Sequence, residues 1–380
     1  MLVGLALTLL NVGLVAAPIG GAVGTLAGID YYRRTHGQSP LFTSDPDDTS
    51  GTPGYTGGGG GGGEPDNFNY TANYTWPGSL PNATTTSGGV TLAKYCQQYV
   101  DIDVGTKTGQ NYTLNPNQWG WTFGDEGGMC LNVTTFTNMT YATNTTAPDW
   151  SVTWQYDAGP SSQPVHAFPN IMMDNSVLPV KLSKLSIMSL DVQWAYEDLG
   201  TAVYKRNRVQ EDMVFNVDEA AIEARAVKQM MNLAERYVAG TTFSANVAVD
   251  MFFDSNAKIA GKTSNATYEV MVWLAQFGQY TDPIGSNKGA VTSYVIDGAN
   301  FTLYSGTNNN KQHVLTWVAE KAAPLFSGSL LPLIEVLPQL DLDYYPGEND
   351  YLGYFAFGSE CYYSADNITF YVQDLSMEIR

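Results

Sequence analysis

From about residue 91 to the C-terminus, apolar and polar side chains alternate in short runs rich in Val, Ile, Thr, Tyr, Phe and Trp, each closed by Gly, Asn, Pro or Asp. Alternation with period two places successive side chains on opposite faces of a strand, and runs bounded by turn residues predict β-strands. Clear examples are 150–157 (WSVTWQYD), 244–254 (SANVAVDMFFD), 266–278 (ATYEVMVWLAQFG), 290–298, 300–306, 312–320, 351–363 (YLGYFAFGSECYY) and 367–379. Their cadence predicts one all-β domain over 91–380, an antiparallel sandwich or barrel. One segment departs from it. Ile222, Ala226, Met230, Leu233 and Tyr237 recur at helical spacing, Asn216 and Glu219 form a capping box, and Gly240 follows, so a single inserted helix is predicted near 217–238, packed on the sheets. Lys205, Arg206 and Arg208 before it read as a solvated loop.

The first 90 residues carry a different pattern. Residues 1–29 are almost continuously apolar and read as a targeting segment: a signal peptide, or, because about 20 apolar residues suffice to cross a bilayer, a retained signal anchor. Arg33 and Arg34 fit a dibasic processing site or the positive flank of an anchor. Residues 30–90, with the glycine run 57–63, form a flexible Gly/Ser/Thr/Pro-rich tail with no periodic apolar face. Ten Asn-X-Thr sequons (Asn69, Asn73, Asn82, Asn111, Asn132, Asn138, Asn144, Asn265, Asn300 and Asn367) are expected of a secreted, extracellular glycoprotein. An anchor would place the domain in the cytoplasm by the positive-inside rule, against the sequons, so membrane association is expected only if 1–29 is retained.

Charge and rare residues narrow the chemistry. With 18 Lys+Arg against 37 Asp+Glu the formal net charge is -19, which excludes a nucleic-acid backbone or an anionic membrane surface as partner. Three cysteines and three histidines stand in no CxxC or HExxH pattern, and neither GxSxG nor a Walker motif is present, so no metal, no cofactor and no activated serine is expected. The chain is expected to act as a monomer.

Carboxylates on the strands supply the candidate chemistry. In 266–278, Tyr268, Val270, Val272 and Leu274 share the core face, which leaves Glu269, Met271 and Trp273 on the other. The same alternation puts Asn246, Ala248, Asp250 and Phe252 opposite a core face of Val247, Val249, Met251 and Phe253. In 351–363 it puts Tyr354, Ala356, Gly358, Glu360 and Tyr362 opposite Phe355, Phe357, Ser359 and Cys361. Acids beside aromatic rings suit a sugar, whose apolar faces stack and whose hydroxyls accept and donate. Two strand-borne glutamates on one open face are what glycoside cleavage requires. The alternatives are acids on ordinary half-exposed strands, or a sheet that binds sugar without cutting it.

These residues resemble glycoside hydrolase family 12. The resemblance runs from about 92 to the end through KYCQQYVD (94–101), PNQWGW (116–121), HAFPNI (166–171), ANVAVDMFFD, YEVMVWL with DPIG (282–285), FSGSLLPLIEVL (326–337) and FAFGSECY (355–362). It implies a two-sheet β-jelly roll of the concanavalin A-like kind, with a concave cleft for a polysaccharide. It further implies retaining endo-hydrolysis of β-1,4-glucans such as xyloglucan, mixed-linkage β-glucan or soluble cellulose. By the same resemblance Glu269 is the nucleophile, Glu360 the general acid/base, Asp250 the support of the nucleophile, Trp119 a sugar-stacking ring and Cys96–Cys130 a disulfide. Met271 and Trp273 are the further substrate-facing positions. Retention corresponds to carboxyl groups roughly 5 to 5.5 Å apart. Cys361 stands where the family pattern more often has Pro, and its alternate direction makes it a free buried thiol. Transglycosylation in the same cleft and non-catalytic polysaccharide binding are the competing functions.

Overall fold

The structure is a computed structural model that describes residues 83–87, 90–105, 110–122, 124–136, 143–161, 164–174, 177–198 and 243–380. All of these except 86–87 and 90 belong to one compact unit. The apolar segment 1–29 and the helix expected near 217–238 lie outside the described residues, and the first described strand begins at Ala83, within the stretch that composition assigns to the tail.

In chain order the strands are β1 (Ala83–Ser87), β2 (Val90–Tyr95), β3 (Ile102–Gly105), β4 (Asn111–Asn115), β5 (Gly128–Phe136), β6 (Asp149–Gln155), β7 (Asn170–Asp174), β8 (Val180–Lys181) and β9 (Met188–Asp198). They continue as β10 (Phe243–Asp254), β11 (Tyr268–Phe277), β12 (Thr292–Ile296), β13 (Ala299–Thr307), β14 (His313–Ala319), β15 (Leu325–Ser329), β16 (Tyr351–Gly358), β17 (Cys361–Ser364) and β18 (Ile368–Ile379). Two short helices, α1 (Ala257–Ala260) and α2 (Leu331–Glu335), sit in connections. A seven-stranded sheet has the order β1-β2-β5-β6-β18-β9-β15; an eleven-stranded one has β12-β13-β14-β11-β10-β16-β7-β4-β3, with β17 on β10 and β8 on β16.

The sheets meet through the apolar face that alternation predicts. Trp150, Val152 and Trp154 of β6, Trp194 of β9 and Phe370 of β18 pack against Val247, Val249 and Met251 of β10, Val270, Val272 and Leu274 of β11, and Phe355 and Phe357 of β16. Each such side chain contributes roughly 1.5–3 kcal/mol on burial, and together they fix which face of the larger sheet looks outward. Bulges in β10 at Val247/Ala248 and at Phe252/Phe253 add twist to the centre of that sheet.

Two expectations change. The larger sheet is not wholly antiparallel, because β14 lies parallel to β11; β12 and β13 intervene in the chain, so no hairpin dictates the direction. The run 351–363 is two strands, and Glu360 occupies the break between β16 and β17. The Asn367 side chain is buried and its Oδ1 has no partner, so a glycan at that sequon is incompatible with the folded domain. No helix among the described residues is long and apolar enough to cross a membrane, and segment 1–29, on which an anchor would depend, is not among them.

Candidate active site

The outward face of the larger sheet is assembled by register. Asp250 on β10 lies opposite Met271 on β11 and Ala356 on β16, while Phe252 lies opposite Glu269 and Tyr354. Asp250 and Glu269 are therefore diagonal neighbours, about 7–8 Å apart at the backbone and within reach at their carboxyls. Toward the other end of β10, Ala248 faces Trp273 and Gly358, and beyond them Asn246 meets Glu360. Glu269 and Glu360 thus stand on two sides of a floor made by Ala248, Asp250, Met271, Ala356 and Gly358. Three of these five are Ala or Gly, which leaves room above them for a sugar ring. Gly358 has no substitute: a Cβ there would lie 2.3 Å from the Pro169 carbonyl oxygen.

Each acid is held by its own partners. The Glu360 N–H donates to Asn246 Oδ1 at 2.8 Å, the Asn246 N–H donates to the Glu360 carbonyl at 3.2 Å, and Asn246 Nδ2 donates to Glu360 Oε2. Tyr362, two residues on and on the same face, donates its hydroxyl to that same Oε2 at 3.0 Å. Backbone bonds from Ser359 to Pro169, and between His166, Ala167 and Cys361, fasten the chain on either side of Glu360. With both donors on Oε2, a proton on Glu360 belongs on Oε1. Glu269 Oε2 accepts from Asn308 Nδ2 at 2.8 Å. Asp250 is buried, and its Oδ1 has no hydrogen-bond partner.

Electrostatics couple the three groups. Burial, then the charge of Glu360, pushes Glu269 up to about 7, against the lowering effect of Asn308. Burial raises Glu360 as well, while Tyr362 and Asn246 oppose the rise. Asp250 lies well above the usual carboxylate range through burial, then the charges of Glu269 and Glu360. Each acid therefore holds its proton more tightly than a free carboxyl does, and the charges of Glu269 and Glu360 act on Asp250 as that of Glu360 acts on Glu269, so the three titrate as a coupled group. Glu360 has two donors and Glu269 one, so hydrogen bonding by itself does not make Glu269 the more acidic of the two.

The remaining sequence candidates are placed as follows. Trp119 is 44% exposed and follows β4, whose Asn115 pairs with Asn170, itself opposite Gly358, so it sits at the Glu360 end of the face. Met271 and Trp273 are on the expected face but sunk into it: Trp273 is 1% exposed, donates Nε1 to Met271 Sδ at 3.3 Å, and packs with Ala248, Val314, Val318, Ile284 and Tyr304. Trp273 therefore supports the floor and presents no open ring face. Cys96 and Cys130 form a disulfide, and Cys361 is a free thiol buried in the core. Sequence reasoning left out Asn246, Tyr362 and Asn308. The first two were visible as face-mates of the acids; Asn308 lies in the turn sequence TNNNKQ, which carries no signal of a role.

Comparison with known proteins bears on the fold and the family. Residues 216–380 match the model of glycosyl hydrolase family 12. The chain is 26% identical over 260 residues, 68% of its length and 82% of the other's, to a probable xyloglucan-specific endo-beta-1,4-glucanase A of Aspergillus clavatus. It is 26% identical over 245 residues, 64% of its length and 75% of the other's, to the xyloglucan-specific endo-beta-1,4-glucanase A of Emericella nidulans. Among solved structures it resembles endoglucanase 3 of Trichoderma harzianum, with a TM-score of 0.54 and 22% identity, over 76% of this chain and 98% of that one. It also resembles the Humicola grisea Cel12A catalytic domain, with a TM-score of 0.53 and 20% identity, over 76% of this chain and 99% of that one. These likenesses confirm the jelly-roll fold.

Proposed function

We infer that the chain is a member of glycoside hydrolase family 12 and that it hydrolyses internal β-1,4 bonds of a glucan with retention of configuration, with xyloglucan as its first substrate; the family match over 216–380 and the similarity to xyloglucan-specific endoglucanases support this. One observation carries the reading. Glu269 and Glu360 flank a floor of small residues, with a third carboxyl, that of Asp250, between them. A row of paired residues crosses eight strands, Asp103–Thr113–Met172–Ala356–Asp250–Met271–Thr316–Tyr304, and at about 4.8 Å per strand it spans roughly 34 Å. A track of that length, with the acids near its middle, suits an internal stretch of polymer better than a chain end.

In this reading ionised Glu269 attacks the anomeric carbon as Glu360 gives its Oε1 proton to the departing glycosidic oxygen, so the sugar–oxygen bond breaks as the sugar–carboxylate bond forms. Glu360, now the base, takes a proton from water, which displaces Glu269 and restores both acids. Asp250, on the neighbouring strand, stands beside Glu269 to hold it. Trp119 stacks on a sugar ring toward the Glu360 end, and Met271 with Trp273 shapes the floor. The Cys96–Cys130 disulfide and the polymeric substrate fit action outside the cell, as a monomer.

The test is Glu269→Gln assayed on xyloglucan, mixed-linkage β-glucan and carboxymethyl cellulose. Release of reducing ends is expected to disappear while binding persists; release at the parent rate would sink the reading. Proton NMR of the first product anomer decides retention, and transfer products in place of free sugar would mark transglycosylation.

A further inference from the structure

Behind Glu269 lies an amide relay that the two-acid mechanism does not use. Asn308, in the turn between β13 and β14, donates one Nδ2 hydrogen to Glu269 Oε2 at 2.8 Å and the other to Gln312 Oε1 at 2.9 Å. Its Oδ1 accepts the backbone N–H groups of Asn310 and Gln312, each at 3.0 Å. Turned over, the amide would set its oxygen against a carboxylate and its hydrogens against two N–H donors, so only one orientation satisfies every contact. Gln312 is locked in the same way. It is 3% exposed, and its Nε2 donates to the carbonyls of Thr263 and Ala266, both at 2.8 Å, which leaves Oε1 facing Asn308. Those carbonyls belong to the turn that leads directly into β11, so the relay ties Glu269 to the start of its own strand.

We propose that Asn308, aimed by Gln312, is the positioning residue that favours the anionic form of Glu269 and holds its Oε2 back, so that Oε1 is the oxygen left free to attack. The groups that act on Glu269 from other elements are Glu360 and Asp250, both carboxyls, with Tyr362 nearby. No cation is among them, so the single Asn308 hydrogen is the favourable contact with the charged form. The inference rests on the assignment of Glu269 as nucleophile given above.

The experiment isolates Glu269 by removing the other acid. A dinitrophenyl β-cellobioside needs no general acid, so in a Glu360→Gln background its cleavage should follow one acid limb set by Glu269. Adding Asn308→Ala is expected to move that limb up by roughly one to two pH units, with the high-pH plateau largely kept. Gln312→Leu should move it in the same direction by less, and thermal unfolding shows whether that buried replacement still folds. A limb that stays in place, or a loss equal at every pH, overturns the proposal. In the otherwise unaltered enzyme, Asn308→Ala must also shift one limb of the kcat/KM profile on glucan upward, and two unmoved limbs overturn it equally. Cleavage of the probe that survives Glu269→Gln would refute the nucleophile assignment itself, a result distinct from failure of the relay.

Discussion

Asp149 offers a test of the electrostatic reasoning away from the catalytic groups. It opens β6, half-buried, on the outer face of the seven-stranded sheet, since its neighbour Trp150 points into the core. Burial, then the charge of Asp374, pushes its carboxyl from the usual 3.8 up to about 7. The folded pKa lies above the unfolded one, so the folded state binds the proton more tightly. The resulting penalty on folding is absent below the unfolded pKa, grows as pH rises, and is complete above about 7. At 1.36 kcal/mol per pH unit the ceiling is about 4 kcal/mol, and partial solvent access halves it to about 2 kcal/mol. Asp149→Asn removes the ionisation at nearly constant shape. It should stabilise the domain by about 2 kcal/mol near pH 8, enough to raise Tm by a few degrees, and change little near pH 4. Urea unfolding at the two pH values measures this, with glucanase activity as an unaltered control. The same gain at both values, or a loss near pH 8, would refute the reasoning.

Two further outcomes follow from the same contacts. Tyr362→Phe removes one of the two donors that favour ionised Glu360, so Glu360, in its proposed role as general acid, should keep its proton to higher pH and the alkaline limb of kcat/KM should move up by about one pH unit; a downward move would contradict that role. Replacing Cys96 and Cys130 together by Ser opens a loop of 34 residues, for which chain entropy predicts a loss of roughly 3 to 4 kcal/mol in urea unfolding, with the pH profile of activity unchanged.

The part of the site that was legible in the sequence is the part governed by a single strand. Glu269 with Met271 and Trp273, Asp250 with Asn246, and Glu360 with Tyr362 all lie on the faces that alternation assigns, because the pleat obliges side chains two residues apart to point the same way. Alternation cannot tell how deep a face lies. Trp273 and Met271 look like open cleft residues in the sequence, yet they are buried, with Ile284, from the turn after β11, and Tyr304, from β13, packed against them. The break at Ser359–Glu360 was equally hidden, since it is made by hydrogen bonds from the 166–169 segment, nearly two hundred positions earlier.

Local pattern thus determined that the chain forms strands, which side chains line the outward sheet face, and that three acids share it. Tertiary structure decided the rest: the parallel seating of β14 beside β11, the burial of Asn367, the burial that raises the proton affinity of Asp250, and the turn that brings Asn308 and Gln312 behind Glu269. The period of a strand is a property of its own backbone. Which strands become neighbours, in what register and under what cover, depends on burial and loop closure summed over the whole domain.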